Sequence, residues 1–126
     1  MRPATRQRRS ALFEEALTVI RRDFADEDLS LAKVARSIAT SRRQLQRVFG
    51  EHGTSFRTEL QRVRMARAAD LLRQERLPVA RVARAVGYRQ AAQFSKAFRR
   101  HHGHPPSEAR VARQRPRPVE RSPLAA

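Results

Sequence analysis

The feature that most constrains this 126-residue chain is a word that occurs twice. Val34-Ala35-Arg36 returns 48 residues later as Val82-Ala83-Arg84, and at the same offset Ile38 matches Val86 and Ala39 matches Gly87. Beyond that point the offset becomes 49: Leu45 matches Phe94, Arg47 matches Lys96 and Phe49 matches Phe98. One extra residue therefore falls in the second connection. Each copy reads as a short helix, a turn of a few residues and a longer helix with polar side chains outward, which is the helix-turn-helix pattern. Small residues at Ala35 and Ala83, and at Ala39 or Gly87, allow the paired helices to approach closely. A solenoid would need more than two copies and no unrelated segment between them.

The rest of the chain fits a helical frame, because nothing alternates with period 2 for long enough to make a strand. Ser10 is expected to cap a first helix, with Glu14 and Glu15 near its positive end and Phe13, Leu17, Ile20 and Phe24 on one face. Asp26–Asp28 breaks that pattern. Ser30 caps a second helix with Leu31, Val34, Ala35 and Ile38 inward. Ser41 caps a third with Leu45, Val48 and Phe49 inward, and Gly53 ends it. Thr54 is expected to cap a long fourth helix through Gln74, with Phe56, Leu60, Val63, Ala66, Ala69, Leu71 and Leu72 inward. Pro78 opens a fifth with Val79, Val82, Ala83 and Val86 inward, closed by Gly87. A sixth, with Arg89 at its cap and Phe94, Ala97 and Phe98 inward, ends at Gly103. Pro105-Pro106 starts a seventh through Arg113.

The expected fold is all-α, with about seven helices. Two helix-turn-helix subdomains, 30–52 and 78–102, are joined by a linker helix over 54–74 in a homeodomain-like pair. A closing helix spans 106–113. The folded domain covers 10–113. Residues 1–9 read as a disordered basic arm, and 114–126, with Pro116, Pro118 and Pro123 among arginines, as a disordered tail.

Charge narrows the partner. The formal net charge is +16, and of 28 basic residues only Lys33 and Lys96 are not Arg. A chain that repels itself this strongly is suited to a polyanion, and DNA, RNA and an anionic membrane are the candidates. Arginine supplies a planar fork for phosphates and guanine edges, although a GC-rich coding bias gives the same skew. There are no cysteines, which excludes disulfides, thiolate metal sites and thiol nucleophiles. No apolar run reaches the roughly 20 residues needed to cross a bilayer, and Glu14 and Glu15 interrupt any signal-peptide core. The expected location is the cytoplasm, on the nucleoid.

The exposed side of the third helix carries Arg42, Arg43, Gln44, Gln46 and Arg47, with no acid between Asp28 and Glu51. Arg43, Gln46 and Arg47 lie at spacings of 3 and 4, on one stripe. Arg can read guanine O6 and N7, and Gln can read adenine N6 and N7. A merely solvated face usually mixes in acids.

These residues resemble the C-terminal DNA-binding domain of the AraC/XylS family of transcription regulators. The resemblance runs through LSLAKVARSIATSRRQLQRVFGEHGTSF and, more diagnostically, VARAVGYRQAAQFSKAFRRHHGHPPSEAR. Gly87, Tyr88, Phe94, Phe98, Gly103, Pro106 and Arg110 carry the second match, and the whole covers roughly 13–113. It implies two recognition helices entering successive major-groove segments of double-stranded DNA, usually in an activator. The family's base-reading positions fall on Arg43, Gln46 and Arg47 in the first unit and on Ala91, Ala92, Ser95 and Lys96 in the second. Phosphate contacts are expected from Ser41, Arg42, Arg89, Arg99 and Arg100. A linker helix of about 20 residues is roughly 30 Å long, close to the ~34 Å of one DNA turn. Ala91 and Ala92 depart from the reading pattern, since they can only touch a thymine methyl. The second unit is therefore expected to anchor more than it reads.

No cofactor, metal or small-molecule effector is expected, and the chain reads as a monomeric regulator with RNA polymerase as a further partner. It also fits the detached DNA-binding end of a longer, effector-responsive regulator. An enzyme is disfavoured: His52, His101, His102 and His104 do not share a face, and no Gly-rich phosphate loop or nucleophile elbow is present. A general RNA-binding or architectural protein is the other alternative. It would show aromatic stacking platforms, whereas each Phe here falls on an apolar face.

Overall fold

The computed structural model describes residues 3–74 and 77–109. Six helices follow in order: α1 (Pro3–Asp23), α2 (Leu31–Ser37), α3 (Arg42–Glu51), α4 (Phe56–Gln74), α5 (Val79–Ala85) and α6 (Ala91–His102). A seventh helical segment, α7, is described over 106–109. No strand occurs among the described residues.

The apolar side chains collect into two cores that share α4. Leu12, Ala16, Val19 and Ile20 of α1 meet Val34 and Ala35 of α2, Leu45, Val48 and Phe49 of α3, and Leu60 of α4. Met65, Ala68, Ala69, Leu71 and Leu72 of α4 meet Val82, Ala83 and Val86, Phe94 and Phe98 of α6, and Ala109. Phe24, just past the end of α1, packs against both.

The two copies of the repeat fold alike, down to how their first helices stop. After α2, Ala39 N–H donates to Arg36 O and Thr40 N–H to Ala35 O; after α5, Gly87 N–H donates to Arg84 O and Tyr88 N–H to Ala83 O. This is the Schellman closure, which places one residue in the left-handed region. That residue is Ala39 at φ 57° in the first copy and Gly87 at φ 94° in the second. Ala39 is exposed. A Cβ on Gly87 would lie 2.7 Å from Phe24 O and 2.8 Å from Arg64 Nη2, so only glycine fits. The extra residue of the second copy lies in this connection, which spans 86–90 against 38–41 in the first.

Several expectations are corrected. The first helix does not begin at a Ser10 cap after a disordered arm; it begins at Pro3, and Ser10 is interior. Proline is well suited to a first helical position, and Ala4, Arg6, Gln7, Arg8 and Arg9 all favour helix. The buried stripe of α1 is also displaced. Leu12, Ala16, Val19 and Ile20 are buried, whereas Phe13, Leu17 and Phe24 are half-buried at its edge. Helix α4 starts at Phe56 rather than Thr54. Ser55 Oγ accepts from Thr58 N–H and acts as the cap, while the Thr54 hydroxyl donates to Glu59. Ala66 is exposed, because the stripe runs through Met65, Ala68, Ala69 and Leu72. The cap position of α6 is Gln90, not Arg89, and its side chain makes no capping bond. The closing helix beyond 109 and the tail at 114–126 lie outside the described residues.

Candidate nucleic-acid interface

Helix α3 is amphipathic in the sense that the site requires. Leu45, Val48 and Phe49 are almost fully buried, at 1% exposure or less, which fixes the helix's rotation about its own axis. Arg42, Arg43, Gln44, Gln46 and Arg47 are then left exposed together. Its N-terminus is held by Ser41, whose Oγ accepts from Gln44 N–H at 3.0 Å. Thr40 Oγ1 donates to Gln44 Oε1 at 2.9 Å and orients that amide. The expected reading stripe of Arg43, Gln46 and Arg47 is thus brought onto one open face. Glu51 lies at the far end of the helix and pairs with Arg9 of α1.

Helix α6 presents a different surface. Phe94 and Phe98 are fully buried; Ala91, Ala92, Lys96, Arg99 and Arg100 are exposed, and Ser95 is half-buried. The sequence holds no acid between Glu75 and Glu108, so this face too is cationic. Arg57 and Gln61 of α4 line an open groove with Gln93, Lys96 and Arg100 of α6. Sequence reasoning missed Arg57, Gln61 and Gln93. Their signal was the helical spacing of 57 with 61 and of 93 with 96 and 100, but only the crossing of α4 over α6 reveals that the two rows meet.

Arg89 is placed unlike the other expected phosphate ligands. Its guanidinium pairs with Asp28 and, at 3.2 Å through Nε, with Glu27 in the loop after α1. These carboxylates supply the negative charge that an arginine beside a helix N-terminus needs.

The histidines serve packing and backbone contacts. The His52 ring stacks on Phe13 at 3.8 Å between centroids, with Nδ1 3.0 Å from Val48 O. His102 Nε2 lies 3.1 Å from Met65 O. His101 is held below its ordinary pKa, first by burial and then by its neighbours His102 and Arg62. No cluster of metal-ligating side chains occurs among the described residues. No helix among them is long and apolar enough to cross a membrane.

Arg64 is the other residue that the sequence hid. Its side chain lies between the two cores, 8% exposed, and donates from Nε to Phe24 O and from Nη2 to Asp26 O, each at 2.9 Å. Its guanidinium carbon stands 5.5 Å from the Tyr88 ring centroid. Burial pushes the Arg64 pKa down, while Tyr88 and Asp26 push it up. The two carbonyls replace the water that a buried cation loses.

Known proteins resemble this chain in sequence and in fold. A family profile described as a helix-turn-helix domain matches residues 34–112. An uncharacterised HTH-type transcriptional regulator of Mycobacterium tuberculosis is 40% identical over 87 residues, covering 68% of this chain and 25% of the relative. The chain spans about a quarter of the length of the curated relatives it matches. Among solved structures, the C-terminal domain of AraT, a response regulator from Geobacillus stearothermophilus, superimposes with a TM-score of 0.78 at 33% identity. That match covers 85% of this chain and 89% of the other. A Chromobacterium violaceum regulator, described as an AraC-type DNA-binding domain-containing protein, gives 0.77 at 29% identity, covering 86% and 96%.

Proposed function

Because the chain belongs to the family of AraC-type helix-turn-helix transcription regulators, we propose that it binds double-stranded DNA sequence-specifically through two successive major-groove segments, and that it activates transcription where it binds. In this reading α3 is the principal reader: Arg43 and Arg47 recognise guanine edges, and Gln46 an adenine edge. Helix α6 is mainly an anchor, with Ala91 and Ala92 against thymine methyls, Ser95 and Lys96 on base edges, and Arg99 and Arg100 on phosphates. Ser41 and Arg42 hold the backbone beside α3. The observation that carries the reading is the exposed Arg43–Gln46–Arg47 row on a helix whose opposite face is locked into a core. The length of α4 supports it: 19 residues span roughly 28 Å, close to the ~34 Å of one duplex turn.

Selection of bound sites from random duplexes tests this. The expected result is two half-sites about one turn apart, the sharper one reporting α3, with RNA and single strands competing poorly. A reporter carrying the selected site should rise in output when the protein is supplied. Recovered duplexes with no shared sequence, or equally tight RNA binding, would refute specific reading and favour a general basic nucleic-acid binder.

A further inference from the structure

A linker helix alone does not fix where two reading heads stand, because a helix bends and its ends pivot on the cores they join. This chain has a second connection between its heads. Arg64 leaves α4 at the level where the first core gives way to the second, between Leu60 and Met65. Its two hydrogen bonds reach Phe24 and Asp26, which belong to the first unit through α1. Phe24 O stands at the α1 C-terminus, where backbone oxygens lack helical partners and a cation is favoured; Asp26 O lies in the loop beyond it, where it also accepts from Leu29 N–H at 3.1 Å. The second unit meets the same guanidinium. Gly87 sits so close that a Cβ there would approach Arg64 Nη2 and Nε at 2.8 and 2.9 Å, and Tyr88 lies across it. On the outside of the same seam, Arg89 of the second unit pairs with Glu27 and Asp28 of the loop that Arg64 holds. Gly87, Tyr88 and Arg89 lead directly into α6; the loop at 24–28 leads directly from α1 to α2.

We propose that Arg64 is a positioning residue that fixes α6 relative to α3 and thereby sets the half-site spacing that the protein accepts, without touching DNA. This rests on the two-segment reading above. The Arg64 contacts do not specify bases. They select which separations between two correct half-sites can be occupied at once. Arg89 with Glu27 and Asp28 is an outer, solvent-screened supplement to the same clasp.

The chain has no cysteine, so paired labels report the geometry of the free protein cleanly. Arg36 on α2 and Arg81 on α5 are exposed and outside the proposed interface. With Arg36→Cys and Arg81→Cys carrying spin labels, pulsed electron resonance should give one narrow distance peak. Arg64→Ala should broaden or displace it, and Arg64→Lys, which can still donate to one carbonyl, should restore part of it. On duplexes that differ only by one added or removed base pair between half-sites, Arg64→Ala should lose discrimination about fivefold or more while keeping its base preferences. A folded Arg64→Ala with an unchanged distance peak and unchanged spacing discrimination would overturn the proposal. If Arg64→Ala does not fold, Arg64→Lys decides: a peak broader than or displaced from that of the wild type supports the clasp, and one identical to it overturns the proposal. The distance measurement needs no DNA. A wild-type protein with a narrow peak but no sequence preference would therefore refute the proposed function and leave the clasp standing.

Discussion

Replacing Gly87 by Ala, and Ala39 by Gly, should move stability in opposite directions, although the two residues occupy the same place in the same turn. At Gly87 an L side chain in the left-handed region costs about 1–2 kcal/mol. The narrower unfolded ensemble of Ala returns about 0.4–1 kcal/mol. The new Cβ also meets Phe24 O at 2.7 Å and the Arg64 guanidinium at 2.8 Å. Relief requires Arg64 to move, and hydrogen bonds from a charged group contribute about 1.5–3 kcal/mol each. Weakening one of them brings the net loss to about 3 kcal/mol, a large share of a small domain's stability. At Ala39 the strain is removed, nothing is crowded and only unfolded-state entropy opposes the change. Ala39→Gly should therefore stabilise by about 0.5–1 kcal/mol. Urea titrations of both variants with a common m-value measure this directly. A Gly87→Ala variant within about 0.5 kcal/mol of wild type, or an Ala39→Gly variant destabilised as Gly87→Ala is, would refute the strain and crowding assigned to this turn.

Three further outcomes are expected. Gln46→Ala and Arg47→Ala should each lose about 1–3 kcal/mol on the selected site and relax one half of it, while thermal stability stays near wild type. Leu45→Ala should instead cost about 2–5 kcal/mol of folding stability, seen by denaturation in the absence of DNA, since Leu45 is fully buried. Arg57→Ala should weaken specific and non-specific duplexes alike and flatten the salt dependence of binding by about 0.9 in log-log slope, because Arg57 shares its groove with Lys96 and Arg100. An unchanged slope would remove α4 from the DNA-facing surface.

Much of this architecture was legible because it is periodic and repeated. Val34-Ala35 and Val82-Ala83 mark the same helix position twice, and both pairs are buried. The one-residue shift beyond Ala39 and Gly87 emerges as a longer second connection. The α3 face was legible for the same reason, since Leu45, Val48 and Phe49 leave only one way for Arg43, Gln46 and Arg47 to point. What was misread depends on partners distant in sequence. Phe13 looked like core because it is large, yet Ala16 takes the buried place and Phe13 covers His52 and Phe49 from the side. Arg64 is one of five arginines in α4, with Arg57, Arg62, Arg67 and Arg73. Its carbonyl partners lie 38 and 40 residues away, and no local pattern distinguishes it. Arg89, an expected phosphate contact, also meets Glu27 and Asp28, which come to it only when the two units fold against each other.

The most direct test of the two-segment reading is the affinity for a selected site before and after five base pairs are inserted between its halves. The insertion turns one half by about half a turn of the duplex. Two heads held on one face cannot then reach both halves. Affinity should fall about thirtyfold or more, roughly 2 kcal/mol, to the level of a single half-site. Affinity that survives the insertion unchanged would mean that one unit reads DNA alone, and would contradict two-segment binding.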